Sequence, residues 1–396
     1  MWVLRNIFLL LILFVVGFFI LAPTLNAQET PSATPPASEE DSQLPTAEPP
    51  PPNEFFRGKV LKILDEGVDT SFGGNQPFQL VEVELLSGPE KGEKFEIKHI
   101  SSFGEFKEHQ KVKPGETVIV VKTPVLDDFR YFITEKYRLP SVVILFTIFL
   151  VFTVIFAGIK GLGSIAGLAF SILVIIQFII PNIADGKDPL FISLIGALLI
   201  ATVSIYIAHG FSKRTTIALA STIITIFIAA ALATFFVSTA KLFGLGSEEA
   251  FYLQQGPLAD INLRGLLLGG ILIGALGVLD DITTAQSAAV DEIHKANPKL
   301  PFKDLYRKGI SVGKEHIASL VNTLALVYIS AALPVFLLFS SNQTQPLWVL
   351  LNNEFIAEEV VRILVGSTTL VLAVPIATFL ATYFLTKKIK PISKLV

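Results

Sequence analysis

The sequence predicts a membrane all-α helical bundle of about seven transmembrane helices, preceded by a small all-β extracytoplasmic domain. Three observations carry that prediction. Hydrophobic residues make up 52% of the chain and charged residues only 16%, against roughly a quarter charged in soluble domains. The apolar residues gather in runs long enough to cross a hydrocarbon core of roughly 30 Å. Ahead of those runs the pattern changes to short, β-rich, partly alternating segments, as in Val81-Glu82-Val83-Glu84-Leu85. A net charge of −3 leaves no basic footprint for nucleic acid. The absence of cysteine excludes disulfides, thiolate metal sites and a cysteine nucleophile.

Residues 1–27 read as a signal peptide or an N-terminal anchor. Arg5 supplies the positive start, Ile7–Ala22 the apolar stretch and Leu25-Asn26-Ala27 a cleavage site, with leucine in place of the usual small residue. Either reading carries the following chain out of the cytoplasm. Residues 28–53 are Pro, Ser, Thr, Glu and Ala with almost no aliphatics, a disordered Pro-rich linker that cannot bury enough surface to fold. Within 54–137 the expected strands are Phe55–Leu64, Phe78–Leu86, Glu93–Ile100, Glu116–Lys122 and Arg130–Arg138. Turn signals separate them at Gly73-Gly74-Asn75, at 87–92 and at Lys113-Pro114-Gly115. Five strands fit an OB-like barrel.

The membrane domain covers 140–386, with spans expected at Ser141–Gly158, Leu162–Ile180, Leu190–Ala208, Ile217–Val237, Gly265–Thr284, Ile317–Phe339 and Val360–Leu385. With the β-domain outside, the cytoplasmic connections hold Lys160, then Lys213 and Arg214, then six Lys and Arg between Lys295 and Lys314. A basic tail at 387–396 adds four lysines. The opposite loops hold Lys187, Lys241 and the boundary residues Arg264 and Arg362. That bias places the C-terminus in the cytoplasm.

The fifth span is distinctive. Its uninterrupted apolar run, Leu266–Leu279, covers about 21 Å at the helical rise. To span, it must take in Asp280 and Asp281, with Asp280 roughly 24 Å from the outer interface. A carboxylate at that depth reads as a functional site facing protein or a wet cavity. Gly270, Gly274 and Gly277 form a small-residue stripe that leads to Asp281 and permits close helix packing. Asp280, Thr284, Ser287 and Asp291 form a polar stripe beside it. The competing reading ends the span at Asp281, which then N-caps a cytoplasmic helix; a continuous helix favours the site, a break the cap. Asn322, Ser319 and Thr323 of the sixth span and Ser221, Thr222 and Thr225 of the fourth fall near the same depth. Pro334 and Pro375 interrupt the last two spans. Gly158, Gly161, Gly163 and Gly167 signal a tight turn and close packing after the first span.

No catalytic residues emerge. No His-Glu-x-x-His or Gly-x-Ser-x-Gly element is present, and adjacent aspartates on one helix cannot face each other as an aspartyl protease requires. No cofactor is expected, and a metal site is left open.

Over Gly269-Gly270-Ile-Leu-Ile-Gly274-Ala-Leu-Gly277-Val-Leu-Asp280-Asp281-Ile-Thr283-Thr284-Ala-Gln286 the sequence resembles the YibE/F-like family of bacterial multipass membrane proteins. The resemblance runs over roughly 140–386. It implies a multipass protein of the bacterial plasma (inner) membrane, and supplies neither a substrate nor catalytic residues. The expected function is permease-like passage of a small solute or cation. Asp280 and Asp281 would bind the ion or exchange protons, and Thr284 and Asn322 would complete a polar pocket. The alternative is a scaffold or envelope-assembly component that recruits partners through the β-domain. Beyond the lipid bilayer, a homo- or hetero-oligomer stays open.

Overall fold

The computed structural model describes residues 53–69, 76–100, 110–125, 128–340 and 346–387. The signal or anchor reading, the linker up to Pro52, the Gly73-Gly74-Asn75 turn and the tail beyond Lys387 lie outside the described residues. The chain divides into two units, Met1–Tyr137 and Arg138–Val396.

The first unit is a five-stranded antiparallel sheet: β1 (Glu54–Asp69), β2 (Gln76–Leu85), β3 (Lys94–Ile100), β4 (Thr117–Val125) and β5 (Asp128–Lys136), in the order β3-β2-β1-β4-β5. Alternation decides its faces. Val81, Val83 and Leu85 are buried, while Glu82 and Glu84 between them are only half-buried. β1 pairs with β2 along most of its length and shifts register at Val60/Lys62 and Ile63/Asp65. Such bulges bend a strand and strengthen its twist, which curls the sheet into a half-barrel around Phe56, Val60, Ile97, Val118, Val120 and Ile133. Gln79, buried in this sheet, accepts a hydrogen bond from Val112 N (2.8 Å) and donates to Glu66 Oε1 (2.7 Å). Lys122 Nζ donates to Glu90 Oε1 (2.6 Å), and the Tyr131 hydroxyl donates to the other carboxylate oxygen. Those two bonds hold the Glu90 carboxyl below its usual range, while burial and the carboxylate push the Tyr131 phenol up to about 12.

The second unit is helical: α1 (Leu139–Val174), a π-helical turn (Ile175–Ile179), α2 (Ile180–Ala184), α3 (Pro189–His209), α4 (Lys213–Thr239), α5 (Glu248–Gln255), α6 (Leu263–Ala296), α7 (Phe302–Ala331), α8 (Leu333–Ser340), α9 (Leu347–Leu351) and α10 (Glu354–Thr386). Among the described residues, five helical stretches are long and apolar enough to cross a membrane: Leu139–Ala184, α3, α4, α6 and α10. Side-chain oxygens of Asp188, Ser212, Asn262 and Asn353 accept backbone N–H groups and start α3, α4, α6 and α10. Gly158 leaves helical geometry (φ 58°, ψ −137°). A Cβ at Gly161 would lie 2.6 Å from the Thr153 carbonyl oxygen. Residues eight apart in a straight helix are separated by about 12 Å, so the chain doubles back at Gly158, where the first two expected spans meet. A second break separates α7 from α8 next to Pro334, whereas Pro375 sits inside an unbroken α10. The core joins α3, α4, α6 and α10 through Ile200, Ile205, Ile226, Leu272, Leu279 and Val374. Large apolar side chains of α1 between Val142 and Phe156 are mostly exposed, as suits a helix surrounded by lipid.

Candidate functional site

α6 runs without a break from Leu263 to Ala296, through Asp280–Thr283. The helix therefore continues where a cap would have ended it, and both aspartates stand in its interior. Its buried face is built from large side chains, Leu268, Ile271, Leu272, Leu276, Leu279 and Ile282. That leaves the small-residue stripe facing away from the bundle. Gly270 and Gly277 have nothing within 4 Å of where a Cβ would stand, and only Gly274 meets a neighbour, the Tyr328 hydroxyl of α7 at 2.5 Å. Close helix packing thus does not occur at Gly270 or Gly277 within this chain, because the leucines already occupy the packing face. Asp281 lies on the open side and is exposed, while Asp280 is half-buried. Asp280 Oδ1 is enclosed and has no hydrogen-bond partner among the described residues.

One turn further, Thr284 lines a cleft of about 330 Å³ with Ala285, Ala288, Thr215, Lys160, His209 and Arg214. Four elements meet there, and the sequence shows why. The reversal at Gly158 and the close approach of Gly163 to α3, where a Cβ would lie 2.7 Å from the Ile207 carbonyl oxygen, bring Lys160 to the end of α3. Gly210, at φ 71°, ends α3 just after His209. Ser212 then caps α4 by accepting from Thr215 N at 3.1 Å, and Tyr206 of α3 meets Thr216 of α4 at 3.0 Å through their hydroxyls. Lys213 is spent on the bundle, donating to the Phe384 carbonyl at the end of α10 (2.5 Å). Arg214, its neighbour, lines the cleft. His209 lies within electrostatic reach of Lys160, Arg214 and Asp281. Asn322 is exposed on α7 and does not line the cleft. Of the expected site residues only Thr284 lines the cleft; its hydroxyl donates to the Asp280 carbonyl at 2.8 Å, both aspartates stand one turn earlier on α6, and Asn322 lies apart.

The other side of α6 carries a buried polar seam. Thr283 Oγ1 and Thr222 Oγ1 of α4 are 2.6 Å apart. Gln286, fully buried, donates to the Gly309 carbonyl of α7 (2.8 Å) and to Thr378 Oγ1 of α10 (2.7 Å). Gly309 and Gly313 let α7 lie against this contact: a Cβ at Gly309 would stand 2.7 Å from Thr378 Cγ2, and one at Gly313 would strike Val374. Sequence reading assigned both glycines to a cytoplasmic connection, because Lys303, Arg307, Lys308 and Lys314 surround them. Their four-residue spacing was the available signal. It also passed over Glu358, a buried carboxylate that accepts the Gly246 amide at 3.0 Å.

The model of the YibE/F-like protein family matches residues 145–387, more than half of the chain. The chain belongs to the YibE/F-like family. The matched region contains both aspartates, the cleft and the seam, while the β-domain precedes it. Searches of curated proteins and of solved structures returned no match.

Proposed function

We propose that this YibE/F-like protein is a permease for a small solute or cation, with Asp280 and Asp281 exchanging protons or ions. The observation that carries the reading is the unbroken α6. It holds two adjacent carboxylates in the interior of an apolar helix, one turn from a polar cleft, where a purely structural helix would carry apolar residues. Counting one span on each side of Gly158, the four of α3, α4, α6 and α10, and one for α7 with α8 gives seven. With the Lys and Arg bias, that count supports an extracytoplasmic β-domain and a cytoplasmic C-terminus in the bacterial inner membrane. The curled five-stranded sheet supports an OB-like barrel. Thr284 would serve the transported species from the cleft wall; the exposure of Asn322 gives it no support as a ligand.

Flux in proteoliposomes tests this. Vesicles loaded with a pH dye and challenged with sodium, potassium and magnesium salts, and with small organic acids and amines, should show a solute-driven pH change. That change should vanish in the Asp280→Asn, Asp281→Asn double variant at normal expression. Flux no greater than that of empty vesicles across the panel, or undiminished in the double variant, overturns the reading. A second reading, a membrane scaffold, is favoured by the open Gly270 and Gly277 stripe, which suits the close approach of a helix from another chain. Crosslinking through Gly270→Cys in a chain that otherwise lacks cysteine would detect it.

A further inference from the structure

We infer that the cleft between α1, α3, α4 and α6 binds a phosphate-type oxyanion. Three basic side chains from three elements, Lys160, His209 and Arg214, line it, and no carboxylate does; the hydroxyls of Thr215 and Thr284, also in the wall, are bonded to Ser212 and to the Asp280 carbonyl. Among the described residues, none of these three basic groups forms an ion pair. Asp281, the carboxylate within electrostatic reach of His209, stands outside the lining. The contrast with Lys213 is instructive. That residue donates to the Phe384 carbonyl and helps close the bundle, whereas the Lys160 and Arg214 side chains make no such bond among the described residues. Lys160 is exposed and Arg214 half-buried at the cleft mouth, and like charges so placed repel one another less when an oxyanion accepts from the ammonium and the guanidinium at once. The volume, about 330 Å³, lies at the lower end of small-ligand pockets, roughly 300–1,000 Å³. It suits a free oxyanion or the headgroup of an anionic phospholipid, whose phosphate presents the same chemistry at the edge of a bilayer. This inference does not rest on transport, since a bound headgroup needs none.

The test uses the purified full chain, delipidated in detergent, and two probes: inorganic phosphate and a short-chain phosphatidylglycerol below its micelle concentration. Short-chain phosphatidylcholine serves as the zwitterionic control. Saturable binding of at least one anionic probe is expected. Lys160→Gln and Arg214→Gln should each weaken it about tenfold or more, the strength of a hydrogen bond to a charged group. Lys303→Gln, which removes an exposed charge on α7 outside the cleft, should leave it unchanged. Ala288→Leu, which fills the cleft and keeps every charge, should weaken binding as well, so the inference survives a charge variant that fails to fold. Phosphate binding without lipid binding identifies a free oxyanion as ligand, the reverse identifies a headgroup, and both together identify a site open to either. No saturable binding of either probe, equal binding of the phosphatidylcholine control, or equal weakening by Lys303→Gln overturns the inference.

Discussion

Two sides of one helix make opposite use of polar residues. Towards α4, α7 and α10, α6 presents Thr283 and Gln286, both fully buried and bonded across helix boundaries, with Gln286 Oε1 and the neighbouring Ser287 Oγ left without a partner among the described residues. Towards the cleft it presents Thr284 beside three basic groups that have no ion-pair partner among the described residues, with exposed Asp281 near His209. A buried polar group between helices is stable once bonded and then serves packing. Basic groups without an ion-pair partner at the end of an apolar bundle can orient it in the bilayer and remain available to an anionic ligand. The comparison separates structure from function along a single element, where hydrophobicity alone could not.

The largest expected effect lies on the seam. Gly313→Leu drives a side chain into Val374 and Gln286 and should lower stability by about 3 kcal/mol or abolish folded protein, read as a loss of thermal midpoint and yield in detergent. Gln286→Ala removes two buried bonds and should cost about 2 kcal/mol; an unchanged midpoint would make the seam an incidental feature. A smaller effect, confined to extremes of pH, comes from the Glu90, Lys122 and Tyr131 cluster of the β-domain. Because Lys122 and Tyr131 depress the Glu90 titration from its ordinary value of 4.5, their stabilisation is present above that value and fades as pH falls through the lower folded one. Tyr131, raised from 10.0 to about 12, contributes below pH 10 and loses that contribution as pH rises through about 12. Glu90→Gln should therefore flatten the acid limb of a pH–midpoint curve of the full chain. Gly270→Ala and Gly277→Ala should each leave stability unchanged or raise it by up to about 1 kcal/mol, because nothing stands within 4 Å of either position. Loss of stability in either variant would show that a partner helix covers the stripe. The smallest stability effect belongs to Arg214→Gln, expected within about 0.5 kcal/mol of the parent, in contrast to its effect on binding.

Much of this was legible beforehand. Period-two burial at Val81, Val83 and Leu85 placed β2, and turn residues placed its neighbours. Apolar runs placed α3, α4, α6 and α10, and the glycines from Gly158 onward placed the chain reversal. The orientation of α6 was not legible, because a bilayer does not distinguish its glycine face from its leucine face; only packing partners do. Gln286 fell just beyond the expected fifth span, and Gly309 and Gly313 were hidden among basic residues that suggested a loop. Lys160 and Arg214 were read for topology alone. Their convergence with His209 depends on a chain reversal and a helix end, long-range geometry that composition does not encode.

The account turns on whether the cleft beside Asp281 is wet. The chain has no cysteine, so Ala285→Cys introduces a single thiol on the cleft wall. Labelling with a water-soluble, membrane-impermeant maleimide in sealed vesicles of known orientation measures the access of water to it. Phe227→Cys, at an exposed position on α4, is the lipid-facing control, and Leu276→Cys, in the core, is the dry one. We expect rapid labelling of Ala285→Cys from the cytoplasmic side alone, slowed by the anionic probe that binds, with both controls unlabelled. An Ala285→Cys thiol as unreactive as that of Phe227→Cys would mean that lipid fills the cleft, and would contradict a solvated site on α6.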